Sequence, residues 1–310
     1  MRDGPLKRYL LGFIGRAVRK AGIRELIRSL SVRGLLPELV WQRLPHDVEF
    51  RFSGPAATEF YYVADKADDM ARRLLWRGWS SWEPETTPLW CTLARDASLA
   101  LDIGAYTGYF SLLALAANPD LEVHAFEPME AQRQSLERNL VRNGWSVRTV
   151  VLPCAVGSFQ HMASMRGSKR MELTAAMETN ARDGIPIEVV TIDDHLKSQT
   201  VHLIKIDVEG AEGDVLRGAR KTLLRDQPII VCEILTNSGA RQVHSALGGL
   251  SYAAFEISST GLLPIRLRDF APDPRFRNVL LAPVDRVREV QERWGLAGSS
   301  GRRVRRSVGG

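Results

Sequence analysis

The sequence is short of cysteine: Cys91, Cys154 and Cys232 are scattered along 310 residues. Three cysteines so placed exclude a disulfide framework and supply no zinc-ligand set. With no His/Cys cluster at metal-ligand spacing, no metal is expected. Cys154 and Cys232 lie in apolar runs and read as small core residues. Long apolar runs are also missing. No stretch reaches the roughly 18 consecutive apolar residues that a membrane-spanning helix needs. Glycines and arginines interrupt every apolar run near the N-terminus, so no secretory layout is present. A cytoplasmic location is the expectation. The chain is nevertheless 45% hydrophobic, enough to bury a full core.

Positive charge is scarce in the body, although the chain as a whole carries +6. Residues 1–33 hold nine Lys/Arg against Asp3 and Glu25, a net +7. The tail from Gly298 adds Arg302, Arg303, Arg305 and Arg306, a net +4, which leaves −5 for everything between. An acidic body with basic ends argues against nucleic acid as its partner.

Leu6, Leu10, Phe13, Ile14, Ala17, Val18 and Ala21 recur at helical spacing among Lys7, Arg8, Arg16, Arg19, Lys20 and Arg24. This basic amphipathic pattern fits a helix packed across the main domain, or one lying on an anionic membrane as a peripheral contact. Residues 48–62 partly alternate and read as a hairpin. Trp76, Trp79, Trp82 and Trp90 crowd around Pro84 and Pro88, either as a wall of a substrate pocket or as the packing of a cap. From Ser98 the chain alternates short apolar runs with helical segments, the signature of βα units and a mostly parallel sheet. Strands are expected near 98–103, 121–126, 147–152, 187–192, 201–206, 228–234, 252–257 and 277–282. Helices are expected near 108–117, 129–142, 211–225 and 239–248. Residues 158–186 break the rhythm and read as an insertion. This divides the chain into an extension (1–95), an α/β domain (96–285), and a helix end with a basic, disordered tail (286–310).

Three segments carry chemistry. The first strand runs into Asp102-Ile103-Gly104-Ala105-Tyr106-Thr107-Gly108. Gly104 permits a sharp turn and close approach to a ligand, and Gly108 permits close packing as a helix starts. The glycine spacing is not Gly-x-Gly-x-x-Gly, which disfavours a pyrophosphate-bearing dinucleotide. Asp102 is placed to orient a cationic group or to hold the loop through backbone N–H groups. The next strand ends in Glu127-Pro128, 19 residues after Gly108. A carboxylate there can accept hydrogen bonds from two ribose hydroxyls, and Pro128 starts a helix. The third segment, Lys205-Ile-Asp207-Val-Glu209-Gly-Ala-Glu212, ends a strand in an acidic cluster with Lys205 and Asp207 on one face. Glu212 reads as a helix-start acid. Glu233, at another strand end, reads equally as an acceptor ligand or as structure. His124 reads as a core residue and His161 as a weaker candidate base.

LDIGAYTGYFSLLA, VHAFEPMEAQRQSLERNL and LIKIDVEGAEGDVLRGA together resemble the FkbM-type methyltransferases, with VVLPCAVGS, VTIDDHL and PIIVCEIL in the order of that family. The resemblance covers about residues 95–285. It implies a Rossmann-like class I methyltransferase with a largely parallel seven-stranded sheet, S-adenosyl-L-methionine as cofactor, and O-methylation of a sugar or natural-product hydroxyl, so that the partner is a small-molecule or glycan acceptor. Position by position, it places Asp102, Gly104, Ala105, Tyr106 and Gly108 along the methionine and adenosyl side, and Glu127 with Pro128 at the ribose. Ala155 and Val156 would border the adenine, and Asp207 would approach the sulfonium. Tyr106 stands where the family often has a smaller polar residue. Asp207 or Glu209 is expected to take the acceptor's proton, with Lys205 setting the local electrostatics. The competing expectations are an RNA methyltransferase and a non-catalytic adenosyl-binding scaffold.

Overall fold

The protein is described by a computed structural model covering residues 18, 20–165, 177–178, 184–273 and 277–293. Most of the amphipathic pattern at 6–21, much of the insertion and the tail from 298 lie outside the described residues.

Helices α1 (Ala21–Val32) and α2 (Glu38–Trp41) precede a hairpin of β1 (Glu49–Ser53) and β2 (Glu59–Val63). The hairpin alternates exposed and buried residues, and its inner Phe50, Phe52, Phe60 and Tyr62 are all at most 3% exposed. Helices α3 (Asp69–Arg77) and α4 (Thr86–Ala94) follow; Asp68 caps α3 by accepting the Ala71 N–H at 2.9 Å. The Rossmann-like part then runs β3 (Leu99–Ile103), α5 (Tyr109–Ala117), β4 (Glu122–Phe126), α6 (Glu130–Asn143), β5 (Thr149–Leu152), β6 (Cys154–Val156), β7 (His161–Met165), β8 (Met177–Glu178), β9 (Ile185–Val190), α7 (Ile192–Leu196), β10 (Leu203–Ile206), α8 (Glu212–Arg217), α9 (Arg220–Asp226), β11 (Ile229–Glu233), α10 (Asn237–Ala246), β12 (Tyr252–Ser258), β13 (Gly261–Ile265) and β14 (Asn278–Pro283). A last helical segment covers residues 287–293.

The main sheet has the order β13-β12-β14-β11-β10-β3-β4-β5. Strands β5, β4, β3, β10 and β11 are parallel, while β14 is antiparallel to both its neighbours. Seven of these strands form the expected Rossmann-like sheet. The eighth corrects the expectation: residues 261–265 turn back on β12 as an antiparallel hairpin. A second correction concerns 187–192, read as a strand of that sheet. Ile185–Val190 instead pairs with β6 and β7 in a separate four-stranded sheet, because β6 before the inserted segment and β7 within it offer it edges. The helix expected over 211–225 is two helices, broken between Arg217 and Arg220. The Gly218 N–H still bonds to Asp214, but a Cβ there would sit 2.0 Å from the Gly157 carbonyl oxygen, so the break seats a neighbouring loop.

Side-chain alternation sorts the strands onto two cores. Leu99, Leu101, Ile103, Ile204, Ile206, Ile230, Cys232 and Leu281 face α7–α10. Ala100, Leu203, Ile229, Val231, Leu280 and Ala282 face α5 and the N-terminal extension, whose Trp76 and Trp90 are fully buried in the same core. The extension therefore shares with α5 and α6 the covering of one face of the sheet. Two asparagines on α6 satisfy its edge strand: Asn143 exchanges hydrogen bonds with the Tyr61 backbone, and Asn139 accepts the Val63 N–H at 2.7 Å.

Candidate active site

The same alternation decides where the chemistry gathers. Asp102, Lys205, Glu233 and Asn278 continue the rows that face the extension, at the end of the sheet where β3, β10 and β11 finish. Ligands sit at this carboxyl edge in open α/β sheets. Here a cavity of about 360 Å³ opens between the strand ends and the extension. Of the anticipated residues, Asp102, Gly104, Ala105, Tyr106, Glu127, Pro128, Ala155, Val156, Asp207 and Glu209 all line it.

Gly108 is the exception. It adopts φ +93°, and a Cβ would meet Leu136 Cδ1 at 2.4 Å, so it serves the packing of α5 on α6 rather than the cavity. The close approach at Gly104 is also of a different kind from the one expected. Its φ is +83°, and a Cβ would fall 1.8 Å from the Asp207 carbonyl oxygen. The neighbouring strand end, before any ligand, demands a glycine there. Tyr106 also has a positive φ, +51°, and its hydroxyl is buried without a hydrogen-bond partner.

At one end of the cavity the carboxylates are held by nearby donors. Glu127 is 6% exposed, not a solvated strand end; its Oε2 accepts the Tyr106 N–H at 2.9 Å and its Oε1 the Met129 N–H at 2.8 Å. Burial pushes its carboxyl up to about 7, against the pull of those two donors. Asp102 is held from the start of the helix that follows, where the Ser111 backbone N–H is one of its donors. Its Oδ2 accepts the Ser111 hydroxyl at 2.6 Å, and burial raises the acid to about 6.

At the other end four carboxylates gather around the buried Lys205, and Arg277 lines the cavity beside Glu209. Lys205 is fully buried; its Nζ donates to Asp207 Oδ2 at 3.1 Å and to Asn278 Oδ1 at 3.3 Å, and lies 4.7 Å from the Phe110 ring centre. Burial alone would lower its pKa, but Asp207, Glu83 and Glu233 together raise it, so it stays charged. Asn278 also donates to Glu83 Oε2 at 2.8 Å. Carboxylate oxygens of Asp207, Glu209 and Glu233 lie within 4.8 Å of one another. No metal was expected, yet such a group can share a proton or hold a cation. Burial is the largest cause of the shifts here, with Asp207 adding to each. Glu209 is raised to about 7, Glu233 to about 9, and Glu83 to about 7 despite the counter-pull of Lys205.

Glu83 and Asn278 were missed by sequence reasoning. Glu83 stands among the tryptophans at φ +41°, a strained position for a non-glycine residue; an acid inside an aromatic cluster was the only signal. Asn278 had none. Trp82 lines the cavity with Glu83, so the tryptophan group divides: Trp82 is wall, while Trp76 and Trp90 are core. Cys154 is buried yet borders the cavity, and Glu212 accepts the Gly210 N–H at 2.7 Å at its helix start. His124 is core, 2.9 Å from His195 and 3.0 Å from Glu122. His161 stacks on Phe159 and does not line the cavity.

Residues 102–257 match the Methyltransferase FkbM domain, and the chain belongs to that family. None of the curated proteins matches it. Among solved structures it is similar to methyltransferase FkbM from Methylobacillus flagellatus KT, at 18% identity and a TM-score of 0.41, over 91% of this chain and 71% of that one. It is also similar to the O-methyltransferase TomG from Streptomyces achromogenes, solved in complex with SAM, at 16% identity and a TM-score of 0.40, over 66% of this chain and 80% of that one. A further likeness is to precorrin-6y C5,15-methyltransferase from Geobacter metallireducens GS-15, at 14% identity and a TM-score of 0.37, over 64% and 85%.

Proposed function

We propose that this methyltransferase uses S-adenosylmethionine to methylate a hydroxyl of a sugar or natural-product acceptor. The observation that carries the reading is one cavity with two chemically different ends. The residues fit the cofactor. The cavity falls within the roughly 300–1,000 Å³ typical of small-molecule sites. Each Glu127 oxygen accepts one backbone N–H and keeps a lone-pair direction for a ribose hydroxyl. Phe126, Ala155 and Val156 offer an apolar border for adenine. When bound, adenosylmethionine supplies an electrophilic methyl carbon on a sulfonium, whose departing thioether needs no acid.

The protein then has two tasks. It must align the acceptor, an effect worth up to roughly 7–11 kcal/mol of a barrier, and it must take one proton. Asp207 is pinned between Lys205 and Glu233, which suits it to positioning rather than to taking a proton. Glu209, raised to about 7, is partly ionised at neutral pH and is the better base for the acceptor hydroxyl. Glu233, raised to about 9, is protonated there and shares its proton with Asp207 in a side-chain hydrogen bond. Trp82 and Glu83 close the acceptor side from the extension. The same four carboxylates disfavour a phosphate-rich acceptor, so methylation of RNA is the weaker reading.

Calorimetric titration with adenosylmethionine and adenosylhomocysteine tests the cofactor. Micromolar binding is expected, weakened by Glu127→Gln. A well-folded wild type that bound neither would overturn the assignment and leave the scaffold reading ahead. Asp207→Asn or Glu209→Gln keeping full turnover with intact cofactor binding would remove that residue as the base.

A further inference from the structure

Large apolar side chains are exposed in one short stretch near the N-terminus. Ile23 is 38% exposed, Leu26 63%, Val32 46%, Leu35 64%, Leu39 69% and Val40 39%. Among the described residues, the ten other exposed large apolar side chains are spread from Tyr61 to Val284. Helix α1 shows why these six are left over. Its inner face is spent on Ile27, on Ser31 at 0% exposure, and on Arg28, whose guanidinium lies 5.9 Å from the Phe50 ring centre and donates to the Arg51 carbonyl at 3.0 Å. Ile23, Leu26 and Leu30 recur at i, i+3 and i+7 as a second apolar stripe beside that face. After the turn at Gly34, φ +77°, Leu35, Leu39 and Val40 add to the exposed apolar surface.

Cations accompany this surface. Lys20, Arg33 and Arg43 are exposed around it, against Glu25 and Glu38. The first 33 residues together carry a net +7.

We propose that residues 20–43 form a docking surface for an anionic lipid bilayer. Exposed leucines interspersed with cations are what an interfacial helix uses, the apolar side chains entering the acyl boundary while lysines and arginines meet lipid phosphates. A nucleic acid would use the charge but gain nothing from six exposed apolar side chains. A second copy of the chain would bury those side chains but set two strongly positive segments against each other. Only the lipid surface answers both features. Helix α3 packs on α1, and Met70 in the first turn of α3 lines the cavity. One helix thus joins the lipid-facing surface to the wall of the candidate active site.

The test is sedimentation of the full chain with vesicles of phosphatidylcholine alone, and with about one-third phosphatidylglycerol. Wild type is expected to sediment with the anionic vesicles only, and to be released by about 0.5 M salt. The combined variant Leu26→Gln, Leu35→Gln and Leu39→Gln keeps every charge. It is expected to lower the bound fraction about tenfold or more, with its melting temperature and adenosylmethionine affinity unchanged. Wild type left in the supernatant with anionic vesicles overturns the proposal, and so does a triple variant that binds them as wild type does. Salt-sensitive binding to polyadenylate that the triple variant retains, without vesicle binding, assigns the surface to nucleic acid. A concentration-dependent dimer that the triple variant abolishes, again without vesicle binding, assigns it to a second copy.

Discussion

The two ends of the cavity treat carboxylates in opposite ways. At the β3–β4 end, each acid has a short local donor: Ser111 for Asp102, and two backbone N–H groups for Glu127. Ser111 sits in the helix that follows Asp102 and Met129 in Glu127's own loop, while Tyr106 reaches Glu127 from the adjacent loop after β3, so the geometry is set by two neighbouring strand ends. At the β10–β11 end, Glu83, Asp207 and Glu233 act on the Lys205 ammonium, Glu209 feels Arg277 as well as Lys205, and the partners come from the extension, two parallel strands and an antiparallel one. The first arrangement suits holding neutral hydroxyls in fixed positions. The second leaves carboxylates that cannot all ionise together near neutral pH, which is what moving a proton requires. A rigid grip and a proton reservoir are thus built in one cavity from the same kind of side chain.

The comparison can be broken by experiment. Removing the shared cation should be the most damaging change. Lys205→Met strands Asp207 among like charges and should cost about 3–5 kcal/mol in urea unfolding. A loss below about 1 kcal/mol would mean that the acceptor end does not depend on its cation. Gly104→Ala places a Cβ against the Asp207 carbonyl at positive φ, and should cost about 2–4 kcal/mol. Gly108→Ala meets only the tip of the Leu136 side chain, which can move, so about 1–2 kcal/mol is expected. Equal costs would show that the two loop glycines are not distinguished by what they touch. Glu127→Gln tests the rigid end: calorimetry should show adenosylmethionine binding weakened about 10–100-fold, the value of hydrogen bonds to a charged acceptor.

The last effect is in the pH dependence. Glu209 and Glu233 keep protons up to about 7 and 9 in the folded protein, whereas an unfolded glutamate releases its proton near about 4.3. Their contribution to stability is therefore complete below the unfolded value and is lost as pH rises through 7 and then 9. The urea midpoint should fall between pH 6 and 9.5, and Glu233→Gln should flatten the upper part of that fall. A midpoint that climbed with pH in wild type would contradict the proton-reservoir picture.

Much of this was legible in the chain order. Short apolar runs placed β3, β4, β10, β11, β12 and β14 to within a few residues, since a buried strand must be apolar whatever lies beside it. The glycine loop, Glu127 and the Asp207–Glu209 cluster were legible because each is a strand end followed by a helix start, a local event. Lys205 and Asp207 were expected on one face, and the 3.1 Å bond between them shows it. Strand partnership was not legible. Residues 185–190 look like any strand of the main sheet, and only the presence of β6 and β7 beside them sends them elsewhere.

What the sequence determined by itself is the set of strands, the loop glycines and which carboxylates end up at strand termini, because these follow from side-chain alternation and backbone conformation over a few residues. Only the tertiary structure decided that Glu83 and Asn278, 195 positions apart, would meet at 2.8 Å. It also decided that the extension would help roof the sheet face bearing Lys205, and that Gly104 would be required by a neighbouring carbonyl. Those outcomes depend on how separate elements stack, and contacts across such distances in the chain leave no periodic trace in it.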